Sequence, residues 1–277
     1  MRRFATAALV AAVLLGTAAC GLDEGANASN TPALAGPPPS GSPHMALAPG
    51  ESGDKPVRRI GVGAFVRSMR TALATRRGVH LDLEIRTPRI TVTGKADEHL
   101  HPGPAALRME VATSYATAPN VDVIQTQRAM WLSVQGYTPP GKWTSVDTAT
   151  SGGVFGPDSA IISHELDPVS ALLANRAGFE RWRFLGPDSL YGVPMAHYRL
   201  KVDSRRALAA RGASAGLQAL MPDTLVYDVW LDRRRLISRI KVDVEKLRID
   251  VELSDWGKRV HVRTPDPADL VSLPQPS

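Results

Sequence analysis

Leu225-Val226-Tyr227-Asp228-Val229-Trp230-Leu231, then Ile240-Lys241-Val242-Asp243-Val244, then Leu247-Arg248-Ile249-Asp250-Val251-Glu252-Leu253 decide the architecture of this chain. In each run apolar and polar residues alternate, and the period of two is that of a strand with one face buried and one face wet. The connections between the runs are short, so the three strands are read as consecutive and antiparallel.

The same texture extends toward the N-terminus. Met195 to Val202 places Ala196, Tyr198, Leu200 and Val202 on one side and His197, Arg199 and Lys201 on the other, and Arg181-Trp182-Arg183-Phe184 precedes it as a further strand. Leu81, Leu83 and Ile85 alternate with polar partners until Pro88. Short strands are expected at 90–96, 107–112, 121–126 and 130–134, separated by turn clusters such as His101-Pro102-Gly103-Pro104 and Pro139-Pro140-Gly141.

Helices are fewer. Val62, Phe65, Val66, Met69 and Leu73 recur at spacings of three and four, which predicts an amphipathic helix ending before Gly78. Between Asp158 and Gly178 the texture is helical, with Asp167 as N-cap and Pro168 at the first helical position. Residues 204–220 read as one more helix. The sum is an α+β chain: a curved antiparallel sheet with a polar and an apolar face, and helices available to cover the apolar side.

The N-terminus has a different logic. Met1-Arg2-Arg3, an apolar run from Phe4 to Leu15 and the small residues Gly16-Thr17-Ala18-Ala19 before Cys20 form the three parts of a secretory signal. Its apolar run is shorter than the about 20 residues that span a bilayer. Residues 1–19 are expected to be removed, and Cys20 to become the lipidated first residue, held at the extracytoplasmic face of the cell membrane. Cys20 is the single cysteine, so an exported chain of this kind has no internal disulfide and must rely on its core. Residues 20–56, rich in Gly, Ala, Ser, Asn and Pro, read as the lipidated N-terminus and a disordered tether with a reach on the order of 30 Å. Residues 57–277 are then the folded domain.

The formal net charge of +6 is modest, and Arg2 and Arg3 leave with the leader. Arg205-Arg206 and Arg233-Arg234-Arg235 therefore face solvent or anionic lipid headgroups, and no nucleic-acid partner is expected.

Motifs for catalysis are sparse. Gly212-Ala213-Ser214-Ala215-Gly216 has the spacing of a hydrolase nucleophile elbow, but that elbow needs a strand before the serine, and here the preceding residues read as helix, so the motif reads as a small-residue loop or helix break. His99 and His101 flank Leu100 without a third ligand at metal-binding spacing. His164-Glu165 lacks the second histidine of a zinc-protease helix, and no glycine-rich phosphate loop is present. No cofactor or metal is called for, and no catalytic residue is assigned.

The order of elements is informative as a whole: a lipid-attachment cysteine, a tether, an amphipathic helix, a hairpin meander containing Met130-Trp131-Leu132 and Lys142-Trp143, a proline-started helix, and three closing strands ending in Leu253-Ser254-Asp255-Trp256-Gly257. This arrangement resembles the LolA/LppX-like actinobacterial lipoproteins over roughly residues 60–272. The resemblance implies a half-barrel sheet whose concave face is covered by helices, and a non-enzymatic role in binding or carrying a lipid or lipoglycan in the cell envelope. It also implies which strand phase faces a ligand cavity: Leu81, Leu83, Ile85, Leu107, Met109, Met130, Leu132, Trp182, Phe184, Tyr198, Leu200, Tyr227, Val229, Ile240, Val242, Ile249 and Val251. Each of these could equally belong to a filled core, in which case the chain would be an envelope sensor or a protein-binding lipoprotein. Trp131, Trp143, Trp230 and Trp256 read as aromatics that cover a sheet edge or the outer surface.

Overall fold

A computed structural model describes residues 59–102, 105–115, 118–126, 129–146 and 167–272. Its centre is an open antiparallel sheet of eleven strands. Strands β1 (Gly78–Arg86), β2 (Thr91–His99), β3 (Ala106–Thr113), β4 (Val121–Thr126), β5 (Met130–Val134) and β6 (Thr144–Val146) form one meander. Strands β7 (Phe179–Leu190), β8 (Val193–Asp203), β9 (Thr224–Leu231), β10 (Ile237–Val244) and β11 (Leu247–Ser254) form a second. The two join where β1 pairs with β11, from His80 opposite Ser254 to Arg86 opposite Arg248. The first and last strands of the domain thus meet in the middle, and β6 and β7 are left as the edges.

The expected strands are present, most of them with shifted ends, because alternation marks the buried centre of a strand better than its frayed limits. β6 was not expected: three residues are too few to display a period. A tail segment continues the sheet beside it. Trp143 N–H donates to Asp269 O (2.9 Å) and Val271 N–H to Trp143 O (2.8 Å), a parallel bridge to Leu270. This pairing occupies backbone groups that an edge otherwise offers to other chains.

Helix α1 (Val62–Thr75) buries Phe65, Met69 and Ala72, one stripe at helical spacing, and two residues later the chain enters β1. Helix α2 (Pro168–Ala174) starts as its sequence requires. Asp167 Oδ1 accepts from Val169 N–H (3.0 Å) and Ser170 N–H (2.9 Å), and Pro168 occupies a position where no intrahelical donor is needed. Residues 204–220 form two helices, α3 (Ser204–Ala210) and α4 (Ala215–Leu220), with the break within 212–216. Gly212 between them has φ of +74°, a left-handed conformation that ends α3, and Ser214 caps α4. Among the described residues no helix is long and apolar enough to cross a membrane.

Candidate functional site

The alternation of the strands places most of their large apolar side chains on one side of the sheet, while Leu190, Met195 and Trp230 form a smaller cluster of their own. Of the residues assigned from sequence to the ligand-facing phase, Leu83, Trp182, Phe184 and Ile249 are partly buried and all the others are buried, and they belong to one continuous cluster. The cluster runs across the sheet from Val146 at β6 to Trp182 at β7, with Phe65 and Met69 of α1 and Val169 and Leu172 of α2 packed on it. Met69, Met109 and Met130 lie within it, and the unbranched thioether side chain is the one best able to move aside for another occupant. At the backbone of Gly94, a side chain would come within 3.5 Å of Met109 Sδ and 3.6 Å of Leu83 Cβ.

One end of this layer is rigid. Phe65, Trp182 and Tyr198 stack in sequence, with ring centroids 4.7 and 4.5 Å apart. Tyr198, fully buried, accepts at its Oη from Ile60 N–H (2.8 Å), and Trp182 Nε1–H donates to Ile60 O (3.0 Å). Burial pushes the Tyr198 phenol up, so it remains a neutral hydroxyl. These contacts pin the segment before α1 over β7 and β8.

The other notable group is acidic. Glu98 continues the inward phase of β2 after Val92, Gly94 and Ala96 and is 2% exposed. Its Oε2 has no hydrogen-bond partner among the described residues. Burial, followed by the charge of Asp167 and a hydrogen bond with it, raises the Glu98 carboxyl well above its usual range. A carboxyl that hydrogen-bonds a carboxylate in a dry place is a neutral acid, and it donates. Sequence reading ended this strand at Ala96; one more step of the same alternation reaches Glu98.

The opposite face is polar and hollowed. A trough of about 1430 Å³ opens there, lined by β1–β5, β10, β11 and the 136–141 loop. A twisted sheet is saddle-shaped, so it can cradle helices on one face and present a hollow on the other. Within the trough, burial and the neighbouring Glu110 raise the Asp122 carboxyl, and Arg108 partly offsets them. Beside it, Arg239 grips Asp250 with two bonds, Nε to Oδ1 at 2.7 Å and Nη2 to Oδ2 at 2.6 Å. Trp230 lies alongside, stacked on His197 at 4.2 Å and donating to Asp188 Oδ2 at 2.8 Å.

The catalytic motifs weighed from sequence have structural roles. Ser214 Oγ accepts from Leu217 N–H (3.1 Å) as a helix cap and follows a helix, which is not the setting of a nucleophile elbow. Both ring nitrogens of His99 meet backbone carbonyls, Val260 O at 3.0 Å and Pro102 O at 2.8 Å. Trp230 covers the outer surface and Trp143 the β6 edge as expected, whereas Trp256 is buried in the core cluster with Nε1–H on Ile237 O (2.8 Å). Cys20 and His164-Glu165 lie outside the described residues.

No protein-family model matches the chain, and no curated protein does. Solved structures are similar to it. LprF from Mycobacterium bovis is 16% identical, with 73% of this chain and 95% of that one covered and a TM-score of 0.49. The Mycobacterium tuberculosis lipoprotein LppX is also 16% identical, with 73% and 100% covered and a TM-score of 0.46. The MucA/MucB complex of Pseudomonas aeruginosa matches at 10% identity, with 72% and 58% covered and a TM-score of 0.39. At these identities the likeness is one of fold alone.

Proposed function

We propose that this chain is an exported lipoprotein, anchored to the membrane through Cys20 and the 20–56 tether, whose domain binds a lipid or other amphiphile against the apolar face of its sheet without catalysing a reaction. The observation that carries this reading is the continuous apolar cluster between the sheet and helices α1 and α2, with Met69, Met109 and Met130 among its members. An acyl chain entering that layer gains about 0.8 kcal/mol for each methylene withdrawn from water, so affinity needs few polar contacts. The aromatic stack of Phe65, Trp182 and Tyr198 would form the closed end, and specificity for a headgroup would come from polar groups at the border of the layer. Transport between membranes is the extension of this reading that the tether favours.

A second reading has its own observation. Most of the cluster residues are buried to within a few percent, as a filled core would have them. In that case the domain is an envelope sensor or a protein-binding lipoprotein.

Mass spectrometry separates the two. The full chain is expressed in a host that exports and lipidates proteins, and the N-terminal peptide is examined for a diacylglyceryl group on Cys20. A Cys20→Ser chain is then analysed under native conditions and after organic extraction. The lipid-binding reading predicts a stoichiometric lipid released from the Cys20→Ser chain. A chain free of adducts that also ignores added phospholipid and glycolipid would move the assignment to the protein-binding reading.

A further inference from the structure

We propose that the trough on the polar face of the sheet is a second binding site, and that its ligand is a neutral, hydroxyl-rich chain: an oligosaccharide. This inference does not depend on what fills the apolar layer, which lies on the other side of the sheet.

The floor of the trough is a single transverse row. Ser133, Asp122, Glu110 and Lys95 stand directly opposite one another in β5, β4, β3 and β2, and the row continues through Asp82 and Glu252 to Arg239. Neighbouring strands are about 4.7–4.9 Å apart, so hydrogen-bonding groups recur along the row at close to the length of one pyranose ring. The hollow of about 1430 Å³ exceeds what a single small molecule fills and leaves room for several sugar units. Among the described residues Lys95, Glu110 and Asp122 make no hydrogen bond or ion pair, so their donors and acceptors are open to a ligand.

Charge selects the class. Among the described residues six acidic and five basic side chains line the trough, leaving almost no net charge. A polyanion or an anionic membrane surface would call for a surplus of cations, and an apolar ligand would leave the charged groups desolvated without partners. Hydroxyl groups, each a donor and an acceptor, satisfy carboxylates and ammonium groups in any order. At the wall Tyr137 is 52% exposed, close in sequence to Pro139 and Pro140. This flat apolar surface, with a polar tip, can stack on the C–H face of a sugar.

The test is saturation-transfer NMR and calorimetry on the purified full chain, with a panel of neutral hexasaccharides of starch, cellulose, mannan and arabinan type. At least one is expected to bind. Lys95→Met and Tyr137→Ala, both at exposed side chains, are expected to weaken that binding by about tenfold each with the circular dichroism spectrum unchanged. Tyr115→Ala, an exposed tyrosine away from the trough, is expected to bind as the parent chain does. The proposal is overturned if no saccharide of the panel binds, if Lys95→Met and Tyr137→Ala bind as tightly as the parent, or if dextran sulfate binds in preference to every neutral member.

Discussion

Glu98, buried on the apolar side of β2, hydrogen-bonds Asp167, the residue whose carboxylate caps helix α2. The Glu98 carboxyl is raised chiefly by its burial, and next by the charge of Asp167. At a pH below its ordinary value of 4.5 it is protonated in folded and unfolded chains alike, and folding loses nothing. As pH rises past that value the unfolded chain releases the proton and the folded chain keeps it. Stability then falls with pH until the folded group also ionises, at up to about 1.4 kcal/mol per pH unit. Glu98→Gln keeps a donor toward Asp167 and removes the titration. Urea unfolding across the acid-to-alkaline range is expected to show the parent losing stability relative to Glu98→Gln as pH rises. Parallel curves would show that Glu98 is an ordinary ionised carboxylate in the folded chain.

Phe65 is fully buried and begins the stack that fixes α1 to β7 and β8. Phe65→Ala removes the ring from a packed layer and is expected to cost about 3–5 kcal/mol. Hydrogen exchange should localise the damage: amides of α1 exchange faster, and those of β2–β4 retain their protection. Uniform loss across the sheet would mean that α1 and the sheet unfold as one unit.

Gly178, at the end of the 3-10 turn that follows α2, lies against the backbone of Asp203 and the side chain of Ala207, where a Cβ would overlap the Asp203 carbonyl oxygen and approach Ala207 Cβ to 2.9 Å. Gly178→Ala therefore forces β7 away from the start of α3, at about 1–3 kcal/mol by the usual cost of overpacking. A thermal unfolding midpoint equal to that of the parent would contradict this close approach.

Arg239 is held by Asp250 through a planar two-bond contact and lies 5.8 Å from the ring centroid of Trp230. Arg239→Lys keeps the charge but not the fork, and is expected to cost about 1 kcal/mol at this partly exposed position. Because the guanidinium adjoins the indole, the emission of Trp230 should shift as well. Unchanged stability and emission would indicate that the pair contributes nothing beyond its charge.

Much of the fold is legible in the sequence because it depends on local periods and caps. Val121–Thr126 and Met130–Val134 have the limits expected of them, α1 occupies the expected residues, and Asp167-Pro168 starts α2 where the capping chemistry places it. The apolar phase of each strand follows from the same alternation, so the residues assigned to the ligand-facing side gather in one cluster. The small residues of 212–216 mark a loop or helix break in the sequence, and the structure places it there: Gly212 turns left-handed after α3 and Ser214 caps α4. β6 was missed because its evidence lies in its partner β5 and in the tail at Leu270.

The sequence by itself determined most of the strands and which face of each is apolar, since both rest on neighbours along the chain. Tertiary structure decided what no local pattern contains: that β1 meets β11, that Glu98 meets Asp167, and that Asp122, Glu110, Lys95 and Asp82 line up across four strands into the floor of a trough. The physical reason is register. Alternation specifies the side on which a residue stands, but the residue opposite it is chosen by the pairing of whole strands, and it is those cross-strand neighbours that turn a polar face into a site.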